Sequence, residues 1–264
     1  MLQPIEDGVA ISMADAQAQL TEDDFRRIET GLLGFDWVVG GGLPLPIAVL
    51  LSAPEGAGKS TLLLELFRSL AKRKVKTLYV NTEETVKQLA YRYKRLGAFP
   101  EKYLKILHES RHERIMEMLE EEAPLVAAID SVQNVEDVAD DNGVPYAMGC
   151  VPSVTKAGRD YKRFSERQGM TIFVVGHVTN DRTIASGNTL KHILDGTIYL
   201  EGGDDEKDIG RLLYCKRKNR FAPRGRRARF EMREQGMIDC GPLLDGPPLD
   251  DKEAPDVEDR PENA

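Results

Sequence analysis

The stretch Ala53-Pro54-Glu55-Gly56-Ala57-Gly58-Lys59-Ser60-Thr61 lies between an apolar run, Ile47–Leu51, and a helical pattern, Leu62–Phe67. The apolar run predicts a buried strand. A strand, a loop ending in Gly-Lys-Ser and a helix, in this order, are typical of a loop that binds polyphosphate through its backbone N–H groups. The stretch therefore predicts a phosphate-binding loop. The alternative is a glycine-rich turn that binds nothing.

The residue types in this loop suit contact with phosphate. Gly56 and Gly58 permit positive φ angles and a close approach of the backbone to phosphate oxygens. Lys59 can neutralise the β and γ phosphates, and the Ser60 hydroxyl can bind Mg²⁺. Ala53 stands where the stricter pattern has glycine, so its backbone angle is expected to be less extreme. The predicted nucleotide-binding residues are Glu55, Gly56, Ala57, Gly58, Lys59, Ser60 and Thr61.

Apolar strands that alternate with helical segments predict an α/β fold. The alternation favours a mainly parallel central sheet with helices on both faces. The five predicted strands are Ile47–Leu51, Thr77–Val80, Leu104–Leu107, Leu125–Asp130 and Thr171–Gly176. Shorter strands with short links, near 197–200, 212–216, 228–232 and 237–239, predict an antiparallel C-terminal extension.

Polar residues follow three of these strands where each one ends. Ligands of parallel α/β sheets bind beyond the carboxyl ends of the strands. Asp130 could hold hydrated Mg²⁺ opposite Ser60, which makes these two the predicted metal residues. Glu83 could polarise the water that attacks the γ phosphate, and Glu84 is a rival for that role. His177 could bond the γ phosphate or the water, although a lone histidine at a strand end is more often structural.

Length and composition favour one main domain. The chain has 264 residues, of which 41% are hydrophobic, enough for one sizeable core. The predicted organisation is a flexible or docking arm at 1–25, an ATPase core at 26–240, and a disordered, acidic, proline-rich tail at 241–264. No apolar run is long enough to span a bilayer, and the first twenty residues lack the features of a signal peptide. A cytoplasmic location is expected.

The charge of the chain is unevenly distributed. The net charge is −8. The segment 241–264 carries eight acidic and two basic side chains, which account for most of that charge, whereas 211–233 carries ten Lys or Arg against the single Glu231. A basic segment before an acidic tail suits a polyanion partner. The acidic tail of the same chain would mimic that partner and compete with it for the basic segment. A solvated hairpin followed by a disordered tail is the alternative.

Several stretches between residues 26 and 237 carry a family resemblance. They are Arg27–Leu43 with its Gly-Gly-Gly-Leu, the phosphate-binding loop, Leu78-Tyr-Val-Asn-Thr-Glu-Glu84, Ile129-Asp-Ser-Val-Gln133, Gly176-His-Val-Thr179, Leu190-Lys-His-Ile-Leu-Asp195, Tyr199-Leu-Glu-Gly202 and Lys218-Asn-Arg-Phe221. With these stretches, most of residues 26–237 resemble the RecA-like ATPase core of the bacterial RadA/Sms DNA recombination and repair family. The resemblance implies a RecA-like P-loop NTPase fold, with ATP and Mg²⁺ as cofactors.

The resemblance also implies roles for individual residues. Glu83 is then the catalytic glutamate, and His177 opens a DNA-facing loop in which Asn180 and Arg182 are the candidate DNA contacts. Lys218 and Arg220 resemble the basic pair that reaches the γ phosphate of a neighbouring subunit, where a cation stabilises charge in phosphoryl transfer. Contact with the phosphate backbone of a nucleic acid, or a solvated strand face, is the alternative for this pair.

Some features depart from the family. The 264 residues contain neither a zinc module with two Cys-x-x-Cys pairs nor the protease-like C-terminal domain, and Phe221 is followed by Ala222-Pro223 where the family has glycine. Asn180-Asp181-Arg182 is also less basic than a DNA-binding loop would favour.

The function expected is that of an ATP-dependent motor, with helicase activity among its expected actions. It would assemble as a hexameric ring or a filament on single-stranded DNA, beside recombinase or replication proteins, and promote strand exchange, branch migration or unwinding. The alternatives are a KaiC-like regulatory ATPase that gates protein partners, and a nucleotide-binding structural subunit with little turnover.

Overall fold

The computed structural model describes residues 10–21, 26–97, 102–177, 189–202, 209–223 and 225–244, with only the backbone described at 177 and at 216–219. The helices are α1 (Met13–Ala18), α2 (Leu33–Val38), α3 (Lys59–Lys72), α4 (Val86–Arg95), α5 (His112–Glu122), α6 (Val151–Gln168) and α7 (Thr189–Ile193). The strands are β1 (Arg27–Ile28), β2 (Leu43–Pro44), β3 (Ile47–Ala53), β4 (Thr77–Asn81), β5 (Leu104–His108), β6 (Val126–Asp130), β7 (Thr171–His177), β8 (Gly196–Glu201), β9 (Gly210–Asn219), β10 (Arg227–Arg233) and β11 (Gly236–Leu243).

A nine-stranded sheet forms the centre of the described chain, with the strand order β11-β10-β9-β8-β3-β7-β6-β4-β5. The neighbours from β8 to β5 are parallel, and β9, β10 and β11 are antiparallel. The predicted α/β class, with a mainly parallel sheet and antiparallel C-terminal strands, is confirmed. The small pair β1–β2 lies outside this sheet.

The strand near Thr197 belongs to the parallel part of the sheet rather than to the antiparallel extension. β8 pairs in parallel with β3, where Val49 lies opposite Gly196, and only its other edge pairs antiparallel with β9. The reason is the connection from residue 178 to residue 195, which includes α7. A crossover between parallel strands needs about a dozen residues or more, and this connection is long enough.

Both faces of β3, β4 and β6 are buried, which explains their nearly continuous apolar sequences, whereas β5 at the side of the sheet is only partly buried. Along β3, Val49 and Leu51 belong to the core cluster that contains α3, whereas Ala48 and Leu50 belong to the cluster that contains residues of α5 and α6. The alternation follows the two-residue period of a strand. The sheet is therefore enclosed by helices, and its strand ends remain as the places where polar residues can gather.

The first and last elements that the structure describes are α1 and β11. Helix α1 contributes no buried residue. At the other end, β11 continues to Leu243, three residues beyond the predicted boundary at Cys240. Pro242 pairs opposite Ala228 on the outermost strand, where the absence of an N–H group is tolerated. Within the described residues, no helix is long and apolar enough to cross a membrane.

We expect the substitution Phe67→Ala to lower the free energy of unfolding by about 3–5 kcal/mol, because it opens a cavity between α3 and the sheet. Phe67 is fully buried, and its ring lies edge-on to Tyr79 at 5.8 Å between centroids and 6.4 Å from the ring of Phe173. Urea unfolding followed by circular dichroism measures the change. The control Tyr91→Ala, at a residue that is 75% exposed, should change stability by about 0.5 kcal/mol or less. A comparable loss in both variants would contradict this account.

Candidate nucleotide-binding site

The carboxyl ends of β3, β7, β6 and β4 lie side by side and form one end of the sheet, which is called here its carboxyl edge. The strand register places Ala53 beside His177 and Asn81 beside Asp130. The phosphate-binding loop leaves β3 at this edge, and Glu83 follows two residues after the end of β4. The structure thus places these predicted site residues at one edge of the sheet.

The phosphate-binding loop turns through two left-handed glycines before α3 begins. Gly56 has φ +77°, and Gly58, the N-cap of α3, has φ +99°. Ala53 ends β3 and is not among the described residues with positive φ, which explains why alanine is accepted at the first position. The loop therefore leads into the N-terminus of a helix, where unpaired N–H groups and the helix dipole favour an anion.

The ammonium group of Lys59 is held inside this loop. The residue is only 6% exposed, and its Nζ donates hydrogen bonds to the carbonyl oxygens of Ala53 (2.9 Å) and Pro54 (3.1 Å). Burial lowers the pKa of Lys59, and nearby carboxylates oppose this shift by favouring the charged form. These carboxylates belong to Asp130, Glu55 and Glu83. The loop therefore combines a confined cation with the amides of a helix N-terminus.

Ser60 and Asp130, the two predicted metal residues, are in direct contact. The Ser60 hydroxyl donates to Oδ2 of Asp130 at 2.7 Å, and the same carboxylate oxygen accepts a hydrogen bond from the hydroxyl of Tyr79. Tyr79 is fully buried; its burial, followed by the charge of Asp130, raises the pKa of its hydroxyl. A hydroxyl and a carboxylate oxygen beside the phosphate-binding loop fit Mg²⁺, which prefers oxygen ligands and retains several waters.

The carboxylate of Glu83 is oriented by two neighbours that follow β6. Its Oε1 accepts hydrogen bonds from Ser131 Oγ (2.9 Å) and Asn134 Nδ2 (2.7 Å), while the side chain is exposed to solvent. Glu84 instead forms an ion pair with Arg92 of α4. The geometry thus favours Glu83 over Glu84 as the carboxylate that can reach a water at this edge.

Comparisons with known proteins agree with this architecture. The AAA domain family matches residues 14–183. The DNA repair protein RadA of Escherichia coli is 38% identical over 234 residues, covering 87% of this chain and 49% of that protein. The RadA protein of Salmonella typhimurium is 37% identical over 227 residues, covering 86% of this chain and 47% of that protein.

The chain belongs to the AAA domain family and has a RadA-like ATPase core. It spans about half the length of the curated relatives it matches. A KaiC-like protein from Pyrococcus horikoshii has the same fold, with a TM-score of 0.65 at 17% identity, over 81% of this chain and 99% of that structure.

The other predicted site residues of this RadA-like core occur in two parts of the sequence, at or after the end of β7 and near the end of β9. The backbone of His177 lies beside Ala53, whereas Asn180 and Arg182 fall outside the described residues. β9 begins at the site edge and runs antiparallel to β8, so its last residue, Asn219, lies opposite Gly196 at the amino end of β8. Lys218 and Arg220 therefore lie at the amino ends of the parallel strands, at the opposite end of the sheet from the phosphate-binding loop.

The environment of Arg220 supports this placement. Its guanidinium group is 3.4 Å from Oδ1 of Asp195, and its side chain is 62% exposed. Asp195 in turn accepts a hydrogen bond from the backbone N–H of Ala48, near the amino end of β3. β3 has seven residues. At about 3.3 Å per residue, roughly 20 Å separate this end from the loop of the same chain.

The sequence did not reveal four residues that shape the site: Tyr79, Ser131, Asn134 and Arg211. Tyr79 lies within an apolar strand, where an aromatic residue is expected in the core whatever its hydroxyl contacts. In the sequence, Arg211 is one member of a basic segment, but in the structure it is buried and donates from Nε to the carbonyl oxygen of Ala57 at 2.9 Å. Only the strand order brings these residues to Asp130, to Glu83 and to the loop.

We expect Tyr79→Phe to reduce the free energy of unfolding by about 1–3 kcal/mol, because it removes a buried donor to Asp130. Equilibrium unfolding without nucleotide measures this change. A double-mutant cycle with Asp130→Ala should give a coupling energy of about 0.5–3 kcal/mol between the two side chains. Additive effects would show that their hydrogen bond does not contribute to stability. Tyr91→Phe, at an exposed position, is the matched control.

Proposed function

We propose that the chain binds ATP with Mg²⁺ and hydrolyses it as the motor domain of a DNA recombination or repair protein. One observation carries the proposal: Ser60 and Asp130 are in direct contact beside a buried Lys59, at the edge where Glu83 is also oriented. A glycine-rich turn without ligand would not require a lysine, a hydroxyl and two carboxylates to converge on one loop.

The side chains have separate tasks in this proposal. The loop amides and Lys59 bind the phosphates, and Ser60 and Asp130 would hold Mg²⁺ on their oxygen atoms. Bound Mg²⁺ neutralises charge on the β and γ phosphates. Glu83 accepts a hydrogen bond from the attacking water and orients it towards the γ phosphate. Ser131 Oγ and Asn134 Nδ2 hold that carboxylate in place.

We further propose that Lys218 and Arg220 act on the nucleotide of a neighbouring subunit. Both residues lie near the end of β9 that is remote from the phosphate-binding loop of their own chain. They therefore cannot complete their own site without a large rearrangement. Supply of a cation in trans would tie hydrolysis to assembly of a ring or filament, and such a cation can accelerate phosphoryl transfer by about 10³–10⁵-fold.

Single-stranded DNA is the polyanion we propose as partner. The basic segment 211–233 favours this choice, as do the RadA relatives, which are named DNA repair proteins. His177, at the carboxyl end of β7, would begin the DNA-facing loop that contains Asn180 and Arg182. Strand exchange, branch migration and unwinding are the actions that such a motor would perform in recombination or repair.

The roles of the two glutamates can be separated by isosteric substitution. We expect Glu83→Gln to lower the rate of ATP hydrolysis by about 10²-fold or more while retaining ATP binding, since it removes the general base. Glu84→Gln is the matched control and should reduce the rate by less than tenfold, because Glu84 is paired with Arg92. Phosphate release gives the rates. A larger loss in Glu84→Gln than in Glu83→Gln would assign the role to Glu84.

The role of Arg220 in trans can be tested by mixing proteins. We expect Arg220→Ala to bind ATP normally but to hydrolyse it slowly, and its addition to the wild type should lower activity more than dilution alone predicts. Lys59→Ala, which lacks the phosphate-binding cation, should restore partial activity when mixed with Arg220→Ala. The two variants would then share one complete site in mixed assemblies. Activity that follows the fraction of wild-type subunits linearly, with no such restoration, would refute action in trans.

The DNA assignment can be tested by ATP hydrolysis and binding at several salt concentrations. We expect a single-stranded oligonucleotide to stimulate hydrolysis, with an affinity that falls steeply as salt rises, because several phosphate contacts release counterions. ATP-dependent assemblies that ignore DNA but bind a protein would support the KaiC-like regulatory alternative. ATP binding with negligible turnover, unchanged in Glu83→Gln, would support the structural-subunit alternative.

A further inference from the structure

The antiparallel C-terminal strands β9, β10 and β11 contact the phosphate-binding loop. Arg211 of β9 donates to the carbonyl of Ala57, and the methyl groups of Met232 and Met237, from β10 and β11, lie against Gly58. These three side chains come from the C-terminal extension of the sheet, whereas the loop follows β3, two strands away from β9. The extension is therefore in direct contact with the nucleotide-binding backbone.

Arg211 makes the polar part of this contact. The residue is 7% exposed; its Nε is 2.9 Å from Ala57 O, and another guanidinium nitrogen is 2.8 Å from Gly210 O. A buried arginine that donates to backbone carbonyls forms charge-assisted hydrogen bonds, which are stronger than neutral ones. The guanidinium thus joins the loop to the first residues of β9.

The contact with Ala57 constrains the next amide of the loop. In a planar trans peptide the C=O of one residue and the N–H of the next point in opposite directions. A carbonyl of Ala57 that points to Arg211 therefore directs the N–H of Gly58 away from β9. A loop that binds phosphate through its amides depends on this direction.

The two methionines limit the same backbone by their size. A Cβ atom at Gly58 would lie 2.3 Å from Cε of Met232 and 2.8 Å from Cε of Met237. Side chains therefore fill the space behind Gly58, and its φ of +99° also suits glycine. The loop is enclosed on the side that faces the extension.

We propose that Arg211 is a positioning residue that sets the phosphate-binding loop in its nucleotide-binding conformation by holding the carbonyl of Ala57. The proposal rests on the nucleotide binding proposed above. It assigns to the start of β9 a role within its own subunit, separate from the role in trans proposed for the other end of the strand.

The test compares Arg211→Met and Arg211→Lys with the wild-type protein. We expect Arg211→Met to raise the Kd for ATP and the KM about tenfold, while kcat at saturating ATP falls less than threefold, because the loop must be ordered by the nucleotide itself. Arg211→Lys should recover part of the affinity, since its ammonium can still donate to Ala57. Calorimetry gives Kd, and phosphate release gives KM and kcat.

A matched control separates this effect from the loss of an arginine elsewhere. Arg114→Met removes a partly exposed arginine of α5 that pairs with Glu117 and Glu121, and it should leave ATP affinity and KM unchanged. The thermal midpoint of each variant without nucleotide reports the purely structural contribution of the residue.

Two results would overturn the proposal. The first is an Arg211→Met protein with a lowered thermal midpoint but wild-type Kd and KM for ATP, which would make Arg211 structural only. If Arg211→Met does not fold, wild-type Kd and KM in Arg211→Lys would overturn it, because the Lys ammonium lies one bond beyond the position of Arg211 Nε and would hold the carbonyl of Ala57 in an altered geometry. Failure of the proposed function looks different, since the wild-type protein itself would then not bind ATP.

Discussion

The parallel register of four strands is the constraint on which the site depends. β3, β7, β6 and β4 are neighbours, and their carboxyl ends are level within one or two residues. Burial of both faces of these strands fixes the register, because a slip of one residue would exchange the residues between the two cores. The packing of the two faces of these strands against two different cores thus determines where Asp130 and Glu83 lie relative to Lys59.

Residues outside the loop control how the charged groups are presented. The hydroxyl of Tyr79 and that of Ser60 converge on Asp130, and Ser131 and Asn134 converge on Glu83. A carboxylate whose hydrogen-bond donors are fixed has a defined orientation, so these neighbours determine the direction in which its charge is presented. The site is therefore a property of the whole sheet edge rather than of the nine-residue loop.

The sequence predicted the local features and missed those that need tertiary contacts. The loop and the strand ends follow from short motifs and from the apolar runs of buried strands. The rule that ligands bind beyond the carboxyl ends of parallel strands brings Ser60 and Asp130 to the same region, but it does not give their hydrogen bond. The pairing of β8 with β3 could not be predicted from the run Thr197–Leu200, which is equally compatible with a hairpin. The contact of Arg211 with Ala57 was also hidden, since it joins residues far apart in sequence and depends on strand order.

Strand β9 has a geometric consequence for any assembly of this chain. Its first residues touch the nucleotide loop of its own subunit through Arg211, and its last residues emerge roughly 30 Å away, at about 3.3 Å per residue, near Arg220. β9 is hydrogen-bonded to β10 from Gly210 to Tyr214 and to β8 from Leu212 to Asn219, so it is held along its length. In a ring where that far end reaches the next protomer, each β9 would connect the nucleotide sites of two neighbouring subunits. Hydrolysis at one site would then affect the rate of hydrolysis at the next.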